Sequence, residues 1–267
     1  MKDDLGNRIK DQYENRTRYM LPRRTYTIIR LDGKAFHTYT QGLEKPFDKD
    51  LFEDIDNAII DMLPEIQGAV FAYTQSDEIS ILLTDFAKPE TSAWFDGNLQ
   101  KMCSVAASII TAEFNNMRLL RQFNAYVKDC DQVDFNNSAY FDARVFTIPD
   151  RIEVMNYMLW RNQDCSRNSV SMVAQSLYSH KELQGKNTSE MHEMIHQKGK
   201  NWATDYSDRE KNGGLIVKEE YLHEFLDFGG PRELRELPVK RSRWVSNGAW
   251  KFTEDKEKLL AMIPKYE

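Results

Sequence analysis

Asp32, Asp77 and Glu78 are the acidic residues best placed to do chemistry, because each lies where a short apolar run gives way to a turn. Asp32 follows residues 26–31, and Asp77 and Glu78 fall between the runs 69–74 and 79–84. Two carboxylates held a few ångströms apart repel unless a cation lies between them, and Mg²⁺ favours carboxylate and carbonyl oxygens. One such ion can lower the pKa of an attacking hydroxyl while a second neutralises a triphosphate and its leaving group, the two-metal scheme of polymerases. Glu78 is a third candidate for the acidic site. The alternative is that these are solvated turn residues, since Asp and Gly are common in loops.

The segment Gly33-Lys34-Ala35-Phe36-His37 comes directly after the first run, and glycine there lets backbone N–H groups approach phosphate oxygens. Its glycine spacing is not that of a P-loop, so nothing supports a Walker-type ATPase. His37 could equally be a packed or surface histidine. His192-Glu193-Met194-Ile195-His196 satisfies H-E-x-x-H, which on a helix sets two imidazoles on one face to bind zinc, with glutamate as base. Only Glu219 or Glu220 offers a third ligand, and the alternative is an amphipathic surface helix ended by Gly199. There is no G-x-S-x-G elbow. Cations mix with aromatics near both ends, at Arg16, Arg18, Arg23 and Arg24 and at Lys240, Arg241, Arg243, Trp244, Trp250 and Lys251. That mixture suits RNA, whose phosphates attract Arg and Lys and whose unpaired bases stack on rings at roughly 1–3 kcal/mol each. Residues 232–251 hold six Lys or Arg (Arg232 and Arg235 included) against Glu233 and Glu236, although a solvated charged face would show the same pattern.

The elements that must position these groups follow from periodicity. Residues 26–31 are β-branched and short and predict a strand. Leu51, Ile55, Ala58, Ile59 and Met62 recur at helical spacing before Pro64. The runs 69–74 and 79–84 predict a hairpin. Leu99, Met102, Cys103, Ala106, Ile110, Phe114 and Met117 mark the apolar stripe of a second helix, and residues 144–148 a last strand before Pro149. The order β, α, β, β, α, β is the split-βαβ arrangement of ferredoxin-like domains, so the fold class is α+β. The first and third strands are then antiparallel neighbours, and Asp32 and Asp77 should meet at one edge. We expect this catalytic domain over residues 1–150 and a mostly helical extension over 151–267, where Arg161, Asp164, Asn168, Ser171 and Gln175 form a polar stripe that could line a site.

Composition narrows the class. The 267 residues carry a net charge of −6 and are 41% hydrophobic, which fits an ordinary globular chain with a sizeable core. No apolar stretch approaches the ~20 residues that cross a bilayer, and the first residues lack a signal-peptide pattern. Cys103, Cys130 and Cys165 show no CxxC spacing, so a disulfide framework is not expected and a reducing cytoplasm is.

Several ordered runs resemble the tRNA-His guanylyltransferase family of 3′-to-5′ RNA polymerases. They are Arg30-Leu31-Asp32-Gly33 with Phe36-His37, Lys45-Pro46 with Asp48, Gln75-Ser76-Asp77-Glu78 with Ser80, Phe141-Asp142 with Arg144, and Trp160-Arg161 with Asp164-Cys165. The resemblance implies a polymerase palm-like domain holding two Mg²⁺ ions on Asp32, the Gly33 carbonyl and Asp77, with Glu78 supporting the acidic site. It implies that the Gly33 to His37 loop, Ser76 and Lys101 contact a nucleoside triphosphate, ATP or GTP. Lys45, Asp48, Arg144 and Asn168 would lie near the site where the RNA 5′ end is activated. Two departures stand out. Ser166-Arg167-Asn168-Ser169-Val170-Ser171-Met172 replaces the family's His-Ile-Asn-Asn-Leu-Tyr-Asn, and Asn98 stands where an Arg ahead of Lys101 is expected. The chain is therefore similar to the bacterial-type guanylyltransferase-like proteins, which implies template-directed repair of 5′-truncated tRNA after activation by ATP rather than histidine-specific guanylation. The resemblance also implies a homotetramer, and Lys240, Arg241 and Arg243 are the candidate RNA contacts. A nucleotide cyclase on the same fold, or a non-catalytic RNA-binding module, are the alternatives.

Overall fold

The computed structural model describes residues 4–129, 137–223 and 239–266. Cys130 and the expected basic residues Arg232 and Arg235, with Glu233 and Glu236, lie outside the described residues. In chain order the elements are α1 (Asp4–Gln12), β1 (Tyr26–Gly33), α2 (Phe36–Tyr39), α3 (Lys49–Met62), β2 (Ala69–Gln75), β3 (Glu78–Leu83), α4 (Leu99–Asp129), β4 (Phe141–Ile148) and α5 (Arg151–Leu177). They continue through α6 (His180–Leu183), α7 (Thr188–Gln197), α8 (Trp202–Asp205), α9 (Asp208–Asn212), β5 (Gly214–His223), β6 (Val239–Gly248) and α10 (Lys256–Met262).

The strands form one sheet in the order β4-β1-β3-β2-β5-β6, with every neighbouring pair antiparallel. Its first four members are the ferredoxin-like arrangement expected from the order of elements. Both faces are covered. Ile29, Leu31, Ile79 and Ile81 pack on one side with Ile55, Ile59, Ala106, Ile110 and Phe114 of α3 and α4. Ile28, Phe71, Tyr73 and Leu82 pack on the other with Val154 and Met158 of α5 and with Phe252, Leu259 and Ile263. This two-sided burial is why β1 and β3 read as nearly unbroken apolar runs. Ile28 and Ile29 point to opposite faces, and each is 0% exposed. The second half of α5 builds a smaller core of its own, in which Val170, Val173 and Ala174 meet Phe47, Leu183 and Ile195.

Local signals set the element ends. Asp48 caps α3 by accepting from Leu51 N at 2.7 Å, and Asp150 caps α5 by accepting from Ile152 N at 2.8 Å. The part beyond residue 150 is helical from α5 to α9, but it also supplies β5 and β6, which widen the sheet beyond the four expected strands. Ile216 joins the core of α3 and α4, and Leu215 joins that of α5. The sheet and both cores thus run through the expected boundary at 150. These two strands were hidden because β5 pairs with β2 only from Gly214 to Val217 and then continues with β6 alone. Past that point no apolar alternation is required, and Lys218, Glu219 and Glu220 look like a charged loop. No helix among the described residues is long and apolar enough to cross a membrane.

Candidate active site

Antiparallel pairing carries Asp32 and Asp77 to the same edge of the sheet. The β1–β3 register runs to Leu31↔Ile79, so the next residues along β1 approach the turn before β3. The β2–β3 hairpin closes at Gln75↔Glu78, which leaves Ser76 and Asp77 as its two loop residues, and Ser76 has the left-handed φ of 50° that such tight turns demand. A Cβ on Gly33 would lie 2.9 Å from both Cβ and Oδ2 of Asp77 and 2.4 Å from a Phe36 ring carbon. Only glycine lets the end of β1 pass beneath the hairpin tip.

The electrostatics of the pair favour a cation. Burial pushes the Asp77 carboxyl up to about 6, against hydrogen bonds from its own backbone and the Ser76 side chain, and the charges of Asp32 and Glu78 add to the rise. Asp77 has no ion-pair partner among the described residues, whereas Asp32 Oδ2 lies 3.9 Å from Arg144 Nη2. Also among the described residues, no cluster of three or more His, Cys, Asp or Glu side chains is arranged for a metal. A site of two carboxylates and a backbone carbonyl still fits Mg²⁺, which commonly rests on one or two carboxylates with the rest of its shell from water and substrate phosphates.

Glu78 is placed differently from the expectation. Its carboxylate is held by Arg30 Nη2 and by Arg161, whose Nε lies 2.6 Å from Oε1 and whose Nη2 donates to Oε2 at 3.0 Å, and Gln75 Nε2 donates to Oε1 at 3.2 Å. With its oxygens taken by donors, Glu78 is an ion-pair anchor rather than an open ligand. Arg30 and Arg161 fall within the runs shared with the family, but their role was not legible in the sequence, since nothing in their spacing shows that they meet on one carboxylate.

A cleft of about 140 Å³ opens in front of the pair, lined by Asp32, Asp77, Arg161, Asp164, Asn168 and Arg209 among others. Asn168 of the polar stripe therefore reaches the site. A second pocket of about 160 Å³ adjoins it, shares Phe47, Phe52, Ser76 and Met172, and is lined by Lys45 and Asp48. Asp48 is already engaged, because Oδ1 caps α3 and Oδ2 accepts from Glu44 N at 3.1 Å. In the loop after Gly33, Ala35 is left-handed at φ 52° and Phe36 turns inward onto Tyr39, Phe114 and Phe141. Any ligand contact of Phe36 would therefore be through its backbone, while the Lys34 and His37 side chains are exposed.

Other expected residues are not brought here. Lys101 lies in the first turn of α4, where Asn98 Oδ1 accepts from its backbone N at 3.1 Å. The neighbouring Met102 packs by Leu83, at the end of β3 opposite Glu78, and six strand residues separate those ends by about 17 Å. Asn98 thus has a capping role where an arginine was expected. Lys240, Arg241 and Arg243 sit on the outermost strand β6, with Arg243 Nη2 3.2 Å from Glu219 and Lys240 Nζ 3.9 Å from Glu220. Arg23 holds the buried Asp85 at 2.6 Å, and Arg24 Nε donates to Tyr266 OH at 3.0 Å. On α7, His192 stands edge-on to Trp202 at 5.3 Å, and no third acidic or thiol side chain among the described residues gathers beside it and His196.

Comparison with known proteins adds an independent line. The family model described as tRNAHis guanylyltransferase (Thg1) matches residues 6–149. A bacterial tRNA(His) guanylyltransferase-like protein solved in complex with ATP is 38% identical, with a TM-score of 0.78 and coverage of 98% of this chain and 99% of that one. A bacterial guanylyltransferase-like structure in complex with GTP gives 37%, 0.76 and the same coverage. The tRNA(His) guanylyltransferase of Debaryomyces hansenii is 28% identical over 84% of each chain.

Proposed function

Because the chain belongs to the tRNA(His) guanylyltransferase family, we propose that it is a Mg²⁺-dependent nucleotidyltransferase that extends tRNA in the 3′-to-5′ direction, restoring nucleotides missing from a 5′ end. The observation that carries this reading is the convergence of Asp32 and Asp77 over Gly33 at the mouth of a cleft, with Asp77 half-buried and without a counter-charge among the described residues. Asp32, Asp77 and the Gly33 carbonyl would hold the ions, which when bound would lower the pKa of an attacking hydroxyl and neutralise phosphate charge.

In the first step a 5′-monophosphate attacks ATP and becomes adenylylated, with release of pyrophosphate; a 5′-triphosphate end needs no such step. The 3′-hydroxyl of an incoming nucleoside triphosphate then attacks the 5′ phosphorus of the RNA, and AMP or pyrophosphate leaves. In-line phosphoryl transfer of this kind requires positioning and charge neutralisation more than covalent participation by the protein. Arg144, beside Asp32, and Asn168 in the cleft wall supply donors for that purpose. Lys45 lines the adjoining pocket, where it would meet the phosphates of the activating nucleotide, and bacterial relatives have been solved in complex with ATP and with GTP. Template bases of the RNA choose the nucleotide that is added.

On this reading the chain works as a homotetramer in the cytoplasm. Support for assembly comes from the outer half of α4, where Leu120, Phe123, Tyr126 and Val127 are all at least half exposed. Free Cys103 and Cys165 suit a reducing compartment.

The deciding experiment supplies a tRNA lacking its first nucleotide, ATP, single nucleoside triphosphates and Mg²⁺, and maps the 5′ end. The wild-type protein should add the templated base, and Asp77→Asn should add roughly a hundred- to a thousandfold less per unit time, the loss expected for a group that stabilises transition-state charge. Full extension by Asp77→Asn sinks the proposal. A cyclic nucleotide as the main product, formed without RNA, would do the same.

A further inference from the structure

Three side chains converge on Glu78, and they come from three elements. Arg30 belongs to β1 and lies two residues before Asp32. Gln75 belongs to β2 and lies two residues before Asp77. Arg161 belongs to α5 and reaches both carboxylate oxygens, at 2.6 and 3.0 Å. The side chains of Arg161 and Glu78 are 5% and 9% exposed, so water barely competes for these contacts. Arg161 is itself fixed by further contacts. Its Nη2 also donates to Asp164 Oδ2 at 2.9 Å, Asp164 Oδ1 accepts from Arg167 at 2.9 Å, and the guanidinium carbon lies 4.2 Å from the Trp160 ring centre. The ends of the two strands that lead to Asp32 and Asp77 are therefore tied to one point, and that point is held by α5.

We propose that Arg161, acting through Glu78, is the positioning residue that sets the separation of Asp32 and Asp77 and so how tightly the pair holds a divalent cation. The inference rests on the reading of those two carboxylates as the cation site. The guanidinium matters because one rigid, delocalised group lies against both Glu78 oxygens, donates to Asp164 and stacks on Trp160 at once, whereas a lysine ammonium is a point charge on a flexible stem. Groups that orient ligands from behind the metal typically change cation affinity or activity by roughly 10–100-fold when removed.

The test measures Mn²⁺ binding to the nucleotide-free protein by calorimetry, alongside steady-state extension kinetics. Arg161→Lys is expected to weaken Mn²⁺ binding roughly tenfold or more and to lower kcat in step, with KM for the nucleoside triphosphate within about twofold of wild type. The double variant Arg161→Met with Glu78→Gln removes both of these buried charges together, leaving the more exposed Arg30 to solvent and to the introduced amide oxygen, and should show the same weak Mn²⁺ binding. Wild-type Mn²⁺ affinity in either variant overturns the proposal. So does an Arg161→Lys protein that melts at a lower temperature yet binds Mn²⁺ undiminished, since that is a structural role alone. If instead Asp77→Asn binds Mn²⁺ as wild type does, the cation reading itself fails and takes this inference with it.

Discussion

Asp77 shows how far a single side chain departs from what its type suggests. A carboxyl with an ordinary value of 3.8 is pushed to about 6 by burial at the hairpin tip, with Asp32 and Glu78 adding to the rise. The folded value lies above the unfolded one, so the protonated group favours the folded state. That contribution is complete below about pH 3.8 and is lost as pH rises through about 6. Its size is about 3 kcal/mol, from roughly two pKa units at 1.36 kcal/mol each. Urea denaturation of the metal-free protein between pH 4 and pH 7.5 should therefore show wild type losing up to that amount relative to Asp77→Asn. Adding Mg²⁺ at pH 7.5 should restore stability to wild type and not to the variant. Parallel curves for the two proteins would mean that the carboxyl is not strained by its surroundings. Neither the burial nor the Asp32 neighbour is written in residues 75–78, although the type of residue is. The double arginine clamp on Glu78 was equally invisible, because Arg30, Glu78 and Arg161 are remote in the chain and carry no shared spacing.

At the scale of elements, the loops and helix starts were the readable parts. Gly33, the Ser76-Asp77 turn and the helices from Lys49 and Leu99 all begin or end where turn and capping chemistry places them. One role remains divided. Asp48 was expected at the activation site by resemblance, and the structure shows both of its oxygens accepting backbone N–H groups at the start of α3. Asn caps about as well as Asp, while Ala removes the acceptor at a cost of about 1 kcal/mol. Asp48→Ala should therefore lose about that much stability, and Asp48→Asn should regain most of it. Extension kinetics then separate the functions. If Asp48→Asn is stable and fully active, capping is all that this side chain does; a stable protein with at least tenfold lower activity shows that its charge is used in the adjoining pocket. Strands β5 and β6 mark the other side of legibility. Their charged outer halves pair only with each other, so no buried face imposes the alternation by which strands are recognised.

For the whole molecule, the question is what joins the added strands to the ferredoxin-like core. Arg209 on α9 meets Asp56 on α3 at 2.7 and 3.1 Å, and Ser246 on β6 donates to the same carboxylate at 2.7 Å. Both ionic side chains are less than 15% exposed. Removing one partner leaves a buried charge uncompensated, at a cost of about 3–5 kcal/mol. Arg209→Met should therefore lose that amount in chemical denaturation, and the double variant with Asp56→Leu should be less destabilised than the single one. A double variant as destabilised as the sum of the singles, or more, would show that this contact does not couple as described. Arg209 also lines the cleft, so the same junction fixes one wall of the site.

Periodicity and turn chemistry alone were enough for the β, α, β, β, α, β order, because an apolar stripe or a tight turn is a local requirement that neighbouring residues must meet. They were also enough to place Asp32 and Asp77 at one edge, since antiparallel adjacency of the first and third strands follows from that order. Residues that act by meeting partners far along the chain had no such local trace. The clamp on Glu78, the distance of Lys101 from the cleft, the ion pairs that occupy Arg243 and Arg23, and the two extra strands all arise from packing in three dimensions. Burial and the strength of an ion pair depend on what surrounds a group, and those surroundings exist only once the chain has folded.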